Sequence, residues 1–579
     1  MTITTKHIQR FFFVIIISVI AVVGLTVLVK SLNSPLMLDE SEEASIGYNL
    51  IKIGGSVFSM PWHDLTHSLG YSLSHGIIQN IFGRSSFVLR SYGIFQFMLS
   101  LMITLLTLNL LAQKYKLDNV KYSLWFCGLL FFANPLLLQH SVIVNADNNL
   151  LTTAILLFVC LFIFFEREDC LLSEYIFTRI ILAFFMAIAL WAKELTPLLM
   201  LLGILLYRLV SREYKKLLID FIIIGLLGTL IFWLTWWIFC YFMGTDILGF
   251  IKFTIIGKGS KAFSSRFLTG LLGRLPALFR WPIYWVSAPF WIGSLIFLFY
   301  RIKNYIKRSG LNGFDLIFFI GLCLWLPYLI FKPNPDMMKY QYPAYPFFII
   351  ILSFLSSKML TRVSVKSISS FVYIVLLLLL AGFTFIYYGA GDYITNLWEP
   401  VSSALGGNFL WRYYLPLLMF YLSVLVLFKA SRREVFIIFV ILSIFPINIA
   451  LALNQIKADY ATAEIWRNYG EEGQKETIKY LSARLRPDDY FFSRRDIAYA
   501  LENDVTPGFK NGEYIQEILK TDSLSKTVFA LNKADPEYIV LDSLSFNLGY
   551  NRDVVKFLFS TYEQVKVYGD FCILKKRNK

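Results

Sequence analysis

The chain has 579 residues, of which 57% are hydrophobic and 17% aromatic, while only 16% are charged. Soluble chains carry roughly 25% charged residues, so a water-soluble globular protein of this length is excluded. Basic and acidic residues balance after residue 453, so the net charge of +15 arises wholly in the apolar part. There it falls mostly in short loops between apolar runs, which excludes a nucleic-acid-binding surface.

In chain order, the apolar runs predict an all-α polytopic membrane domain of about thirteen helices. They cover residues 11–29, 90–111, 122–138, 148–165, 176–192, 197–210, 217–243, 283–300, 314–331, 342–357, 369–388, 412–428 and 434–453. Phe11–Val29, Leu217–Met243, Phe371–Tyr388 and Val435–Leu453 approach or exceed the ~20 apolar residues that cross a bilayer core as helix. The runs are continuous rather than alternating, which favours helices over a barrel. The first follows Lys6 and Arg10, exceeds a signal-peptide core and lacks a small-x-small cleavage site, so it is expected to remain as a span.

Basic loops set the orientation. With the N-terminus inside, the cytoplasmic loops hold Lys114, Lys116 and Lys121, then Arg208, Arg212, Lys215 and Lys216, then Arg301, Lys303, Lys307 and Arg308. The acidic loop Glu166–Glu174 is the exception. An odd number of spans leaves residues 454–579 outside, as a small α/β domain of an integral protein of the cytoplasmic (inner) membrane. In that tail we expect a helix over 475–485, strands at 490–493 and 537–542, and a terminal hairpin over 565–574 turning at Gly569–Asp570. Its lone cysteine, Cys572, excludes a disulfide framework there.

The candidate chemistry lies on the outer side. Asp39 and Glu40 are adjacent carboxylates just past the first span, costly at a membrane boundary unless solvated or used. Asp147, in the run Asn145–Asn149, is suited to cap the fourth span and lies on the same face of the membrane as Asp39. Lys193 follows the fifth span, where it either pairs with Glu194 or aims its ammonium at a phosphate. Lys339 and Tyr342 lead into the tenth span, where an interfacial aromatic belt is the plain alternative. The outer segment Gly244–Trp281 carries Lys252, Lys258, Lys261, Arg266, Arg274 and Arg280 against Asp246. That excess suits anionic headgroups or a cradle for a phosphorylated ligand. His63 and His67 share an i,i+4 spacing compatible with a divalent metal on a helix, or with an ordinary polar loop.

This order resembles the GT-C superfamily of lipid-linked sugar transferases, protein O-mannosyltransferases and lipid A aminoarabinose transferases in particular. The order comprises a span, an outer loop opening with Asp39–Glu40, an Asp at the outer end of the fourth span and a Lys after the fifth. A basic-Tyr-x-x-Pro-like stretch and an α/β tail complete it. His67–Ser68–Leu69 stands where the family commonly has Lys-Pro-Pro, Glu194 replaces a glycine after Lys193, and Lys339 replaces an arginine. The resemblance implies an inverting glycosyltransferase that moves a sugar from a polyprenyl phosphate carrier to a lipid, glycan or protein. Asp39, Glu40 and Asp147 would be catalytic, and His67, Lys193, Arg266, Arg274, Lys339 and Tyr342 would bind the donor phosphate. No cofactor is required, although Asp39, Glu40 and Asp147 could hold a divalent metal. A transporter or flippase of lipid-linked glycans, or a non-enzymatic assembly protein, would share the apolar groove and basic loop.

Overall fold

The computed structural model describes, with short gaps, residues 35–52, 69–144, 149–166, 171–243, 288–331, 340–362, 473–505, 512–514, 524–542 and 552–577, and scattered positions from 22 to 32. The spans expected at 369–388, 412–428 and 434–453 lie outside the described residues, as does the domain boundary after residue 453.

The membrane domain is helical. Its elements are α1 (Leu38–Lys52), α2 (Gly70–Phe82), α3 (Ser86–Lys114), α4 (Val120–Ala133), α5 (Asn149–Phe165), α6 (Leu172–Ala192), α7 (Thr196–Val210), α8 (Tyr214–Ile219), α9 (Gly228–Met243), α10 (Ala288–Lys307), α11 (Gly313–Phe331) and α12 (Tyr345–Arg362). A π-helical stretch, Asp220–Leu227, joins α8 to α9 in one rod. Among the described residues, Ser86–Lys114, Leu172–Ala192 and Tyr214–Phe242 are long and apolar enough to cross a membrane alone. Shorter apolar helices accompany them. At ~1.5 Å per residue, α3 is about 43 Å long against a hydrocarbon core of ~30 Å, so its ends reach the polar layers.

Local chemistry sets the boundaries. The Ser85 hydroxyl accepts the Val88 N–H at 3.2 Å and starts α3. Pro197 opens α7. The span expected to run to residue 138 stops at Ala133, because Asn134–Pro135 follows and the Asn134 side chain takes the Leu137 N–H instead. Bulky apolar side chains, among them Phe97, Phe158, Phe162, Trp236 and Phe348, fill the bundle centre. Close helix contact needs small residues: a Cβ on Gly203 of α7 would stand 2.6 Å from Ile320 Cα of α11. Phe95, Met102, Phe184 and Leu230 face outward, as lipid contact requires.

Alternate helices run in opposite directions, so their connections collect at two ends. The far end gathers the loops after α3, α5, α7 and α10. Lys114 Nζ reaches Glu166 O at 2.6 Å, and the Tyr115 hydroxyl accepts the Gly313 N–H at 2.8 Å. Those after α3, α7 and α10 are basic loops of the charge pattern, and the acidic loop after α5 meets them there. The near end carries α1, α2 and the C-terminal domain.

That domain contains α13 (Gln474–Ser482), β1 (Phe491–Ser493), α14 (Arg495–Asn503), β2 (Gly512–Tyr514), α15 (Leu524–Ala534), β3 (Tyr538–Asp542), α16 (Arg552–Thr561), β4 (Tyr562–Tyr568) and β5 (Phe571–Lys576). The strand order is β2-β1-β3-β5-β4. β1 is parallel to β2 and β3, and β5 is antiparallel to β3 and β4. Alternation along β3 serves two helical layers. Tyr538 and Val540 pack with Leu481 and Ile497, from α13 and α14, while Ile539 and Leu541 pack with Leu531 and Leu558, from α15 and α16. The expected terminal hairpin is present, with Gly569 at φ 50° in its turn.

Candidate active site

The near end is organised by one buried ion pair. Glu40, in the first turn of α1, and Arg90, one turn into α3, are 1% and 0% exposed. Arg90 Nη1 and Nη2 meet Glu40 Oε1 and Oε2, each at 3.0 Å, a bidentate fit that only guanidinium provides. Arg90 also donates to Val142 O at 2.7 Å and Pro35 O at 2.6 Å, and Glu40 Oε1 accepts the Val144 N–H at 2.8 Å. The pair therefore ties together the chain before α1, the first turn of α1 and the segment before α5. Removing one member of such a pair strands a buried charge, at about 3–5 kcal/mol.

Asp39 is the second residue of α1, directly before Glu40; its side chain lies outside the described residues. Asp147 also lies outside them, but its flanks are described. On one side stands Val144, bonded to Glu40. On the other, Asn149 begins α5 and donates from Nδ2 to Ser141 O. Its Oδ1 accepts the hydroxyl of Tyr342 at 3.0 Å. Tyr342 sits in the 3-10 turn Tyr342–Ala344 that leads into α12 and is buried. Its hydroxyl is thus committed to the start of α5, where it fixes the approach of α12 to the Asp147 segment. A Cβ on Gly93 would lie 2.3 Å from Ser141 O, so α3 meets this segment backbone to backbone.

Lys193 ends α6, its N–H bonded to Ala189 O at 3.0 Å. Lys193 and Glu194 are both buried at the near end. The start of α2 presses on this corner, since a Cβ on Gly70 would stand 2.5 Å from Trp191 O. The structure therefore brings the chain that leads out of the 67–69 stretch alongside the Lys193 corner. His67 itself, Arg266, Arg274 and Lys339 lie outside the described residues, as does His63.

α1 and α2 cross at backbone contact: a Cβ on Gly47 would fall 1.7 Å from Ser72 O, and one on Gly76 would fall 2.0 Å from Gly47 O. Ser72 Oγ donates to Glu43 Oε2 at 2.6 Å, and Gln79 Nε2 to Ala44 O at 2.8 Å. His75 of α2 is enclosed by Tyr71 and Tyr92, with ring centroids 4.1 and 5.1 Å away. Burial pulls its pKa down to about 4, against a weaker opposing hydrogen bond with Tyr71 O, so the ring is neutral.

Among the described residues no cluster of three His, Cys, Asp or Glu could hold a metal. Glu40 has both oxygens engaged by Arg90 and the Val144 N–H, so it is built to hold the backbone in place. Arg90, Asn149, Ser141 and the Gly47–Gly76 contact were not identified as site residues from the sequence. An arginine inside an otherwise apolar helix is the sequence signal by which the first of them could be found.

The fold, a helical membrane bundle with α1 and α2 at one end beside a five-stranded α/β domain, is similar to that of solved structures over nearly the whole chain. The particular likeness is to ArnT from Cupriavidus metallidurans. The apo state matches with a TM-score of 0.55 at 13% identity over 98% of each chain. The form bound to undecaprenyl phosphate matches with a TM-score of 0.53 at 14% identity over 97% of each chain. A looser match, TM-score 0.43 at 10% identity, covers 74% of the oligosaccharyltransferase AglB from Archaeoglobus fulgidus. No protein-family model and no curated protein matches the sequence.

Proposed function

We propose that the chain is an inverting glycosyltransferase that takes a sugar from a polyprenyl phosphate carrier and passes it to a lipid, glycan or protein. The observation that carries this reading is the Glu40–Arg90–Val144 clamp, which joins the turn bearing Asp39 to the segment bearing Asp147. The Lys193 corner and Tyr342 stand at the same end. The full-length likeness to ArnT, which has been seen with undecaprenyl phosphate, supports the donor class.

In this reading Asp39 takes the proton of the acceptor hydroxyl as its oxygen attacks the anomeric carbon. The bond from that carbon to the carrier phosphate breaks, its electron pair passes to the phosphate oxygen, and the configuration inverts. Lys193, with His67, Arg266, Arg274 and Lys339, stabilises the charge that grows on the leaving phosphate. Tyr342 holds the wall of that subsite through Asn149. Glu40, anchored by Arg90, orients Asp39, and Asp147 orients the acceptor. A phosphate is a good leaving group, so no metal is needed; were one bound, Asp39 and Asp147 would be its ligands. The thirteen-span topology, the division at residues 453/454 and the placement of site and C-terminal domain on the outer face of the cytoplasmic membrane belong to the same proposal.

The test is Asp39→Asn in proteoliposomes supplied with a lipid-linked sugar. Transfer should fall ~10²–10⁴-fold while the variant stays folded and still binds undecaprenyl phosphate. Wild-type turnover in a folded Asp39→Asn chain, or carrier movement across the bilayer without a transferred sugar, overturns the reading.

A further inference from the structure

The C-terminal domain holds α1 at the near end through buried polar contacts. Gln474, at the start of α13, donates from Nε2 to Leu36 O at 3.1 Å, three residues before Asp39. The same nitrogen is fixed by Asp496 Oδ2 at 2.6 Å. Asp496 is in turn held by Arg494, whose guanidinium lies 4.8 Å from the Phe571 ring of β5. A continuous line of contacts thus runs from the sheet to the backbone just ahead of Asp39.

A second line enters eight residues later, at Ala44. The Tyr499 hydroxyl of α14 donates to Gln79 Oε1 at 3.0 Å, and Gln79 Nε2 donates to Ala44 O of α1 at 2.8 Å. Gln474, Tyr499 and Gln79 are each 1% exposed. Tyr499 also closes an apolar cluster with Leu36, Ala44, Tyr71, Leu89 and Val144. Around this core, Arg84 lies between the rings of Tyr48 and Tyr499, at 4.8 and 5.0 Å, and Asp504 accepts the Ser86 N–H at 2.8 Å as α3 begins. Leu36 precedes α1, and its carbonyl accepts a hydrogen bond from the tail.

We propose that Gln474 and Tyr499 are positioning residues of the transfer reaction, through which the C-terminal domain sets where Asp39 stands. This rests on the glycosyltransferase reading. The physical argument is geometric. A general base works only within hydrogen-bond reach of its proton, and a displacement of about 1 Å can cost ~10²-fold in rate. Glu40 and Arg90 fix the first turn of α1 on the bundle side, and Gln474 and Tyr499 fix it on the other.

The experiment uses the full chain in nanodiscs, with Tyr499→Phe, Gln474→Leu and the double variant. Three quantities are read: amide hydrogen exchange over residues 36–46, affinity for undecaprenyl phosphate, and turnover at saturating lipid-linked sugar per folded molecule. We expect exchange over 36–46 to quicken and turnover to fall about tenfold, with carrier affinity within about twofold of wild type. A merely structural role would lower the folded fraction but not the turnover of folded molecules. If the double variant loses protection in Tyr538–Asp542, the domain has unfolded, and Tyr499→Phe, which removes one oxygen, decides alone. Unchanged turnover in folded variants of a transferring wild type overturns the positioning role only. A wild type that transfers no sugar overturns the glycosyltransferase reading and the positioning role with it.

Discussion

At the far end of the bundle, Arg179 and Arg208 both bond Asp220, each from Nε at 2.9 Å, and both bond Glu166; Glu213 and Lys216 complete the set. Nearby, Arg301 closes on Asp315 at 2.8 and 2.5 Å. Acidic groups there, Asp220 from the start of the π-helical stretch and Glu166 and Glu213 from loops, are matched to arginines of α6 and α7. At the near end, Arg90 has Glu40 as its acidic partner and directs its other donors to the carbonyls of Pro35 and Val142. The same chemistry ties helices to their connecting loops at one end and fastens chain beside candidate catalytic residues at the other. A buried ion pair is therefore not itself a sign of a site; what it is fastened to decides.

The sharpest way to break this comparison is Arg90→Met. It leaves Glu40 buried without its guanidinium and should cost about 3–5 kcal/mol, with transfer lost. Arg90→Lys should not restore the bidentate fit. Thermal unfolding in detergent beside a transfer assay reads both. Its far-end counterpart is Asp220→Asn, which keeps one acceptor oxygen but turns an NH2 to the other side and leaves Glu166 and Glu213 facing Arg179, Arg208 and Lys216. It should cost about 2 kcal/mol, with turnover per folded molecule unchanged. Loss of turnover in that variant would show the two ends to be coupled.

His75 adds a pH dependence confined to the near end. Its folded pKa, about 4, lies below the ordinary 6.5, so the fold favours the neutral ring. Stability from this group is complete above pH 6.5 and is lost as pH falls from there towards 4, by up to about 3 kcal/mol. His75→Gln should flatten that limb in thermal unfolding measured against pH. The smallest expected effect is Lys216→Ala. This half-exposed residue is a third ligand of Glu166, and its loss should change stability by less than about 1 kcal/mol.

Much of the bundle was legible in the sequence. The spans expected at 90–111, 148–165, 176–192 and 197–210 fall within a few residues of α3, α5, α6 and α7, because twenty apolar residues in lipid admit one solution. Nothing local explains the acidic loop that breaks the charge rule. Glu166 is there because Arg179, Arg208 and Lys216 converge on it, a meeting of four chain segments that spacing does not reveal. Tyr342 was singled out for a phosphate, and its hydroxyl is found on Asn149. Glu40 was singled out as a carboxylate near chemistry, and it is found closed on Arg90.

By itself the sequence determined that this chain suits a membrane, where several of its described helices run and that its tail combines helices and strands. Each of these follows from hydropathy, from charge bias or from a local period of two or 3.6 residues. Only the tertiary structure decided that Arg90 belongs to Glu40, that α1 and α2 cross at Gly47 and Gly76, and that the tail grips the backbone ahead of Asp39. Those contacts join residues from 29 to 438 positions apart. Local rules hold no information about which distant partner will satisfy a buried polar group.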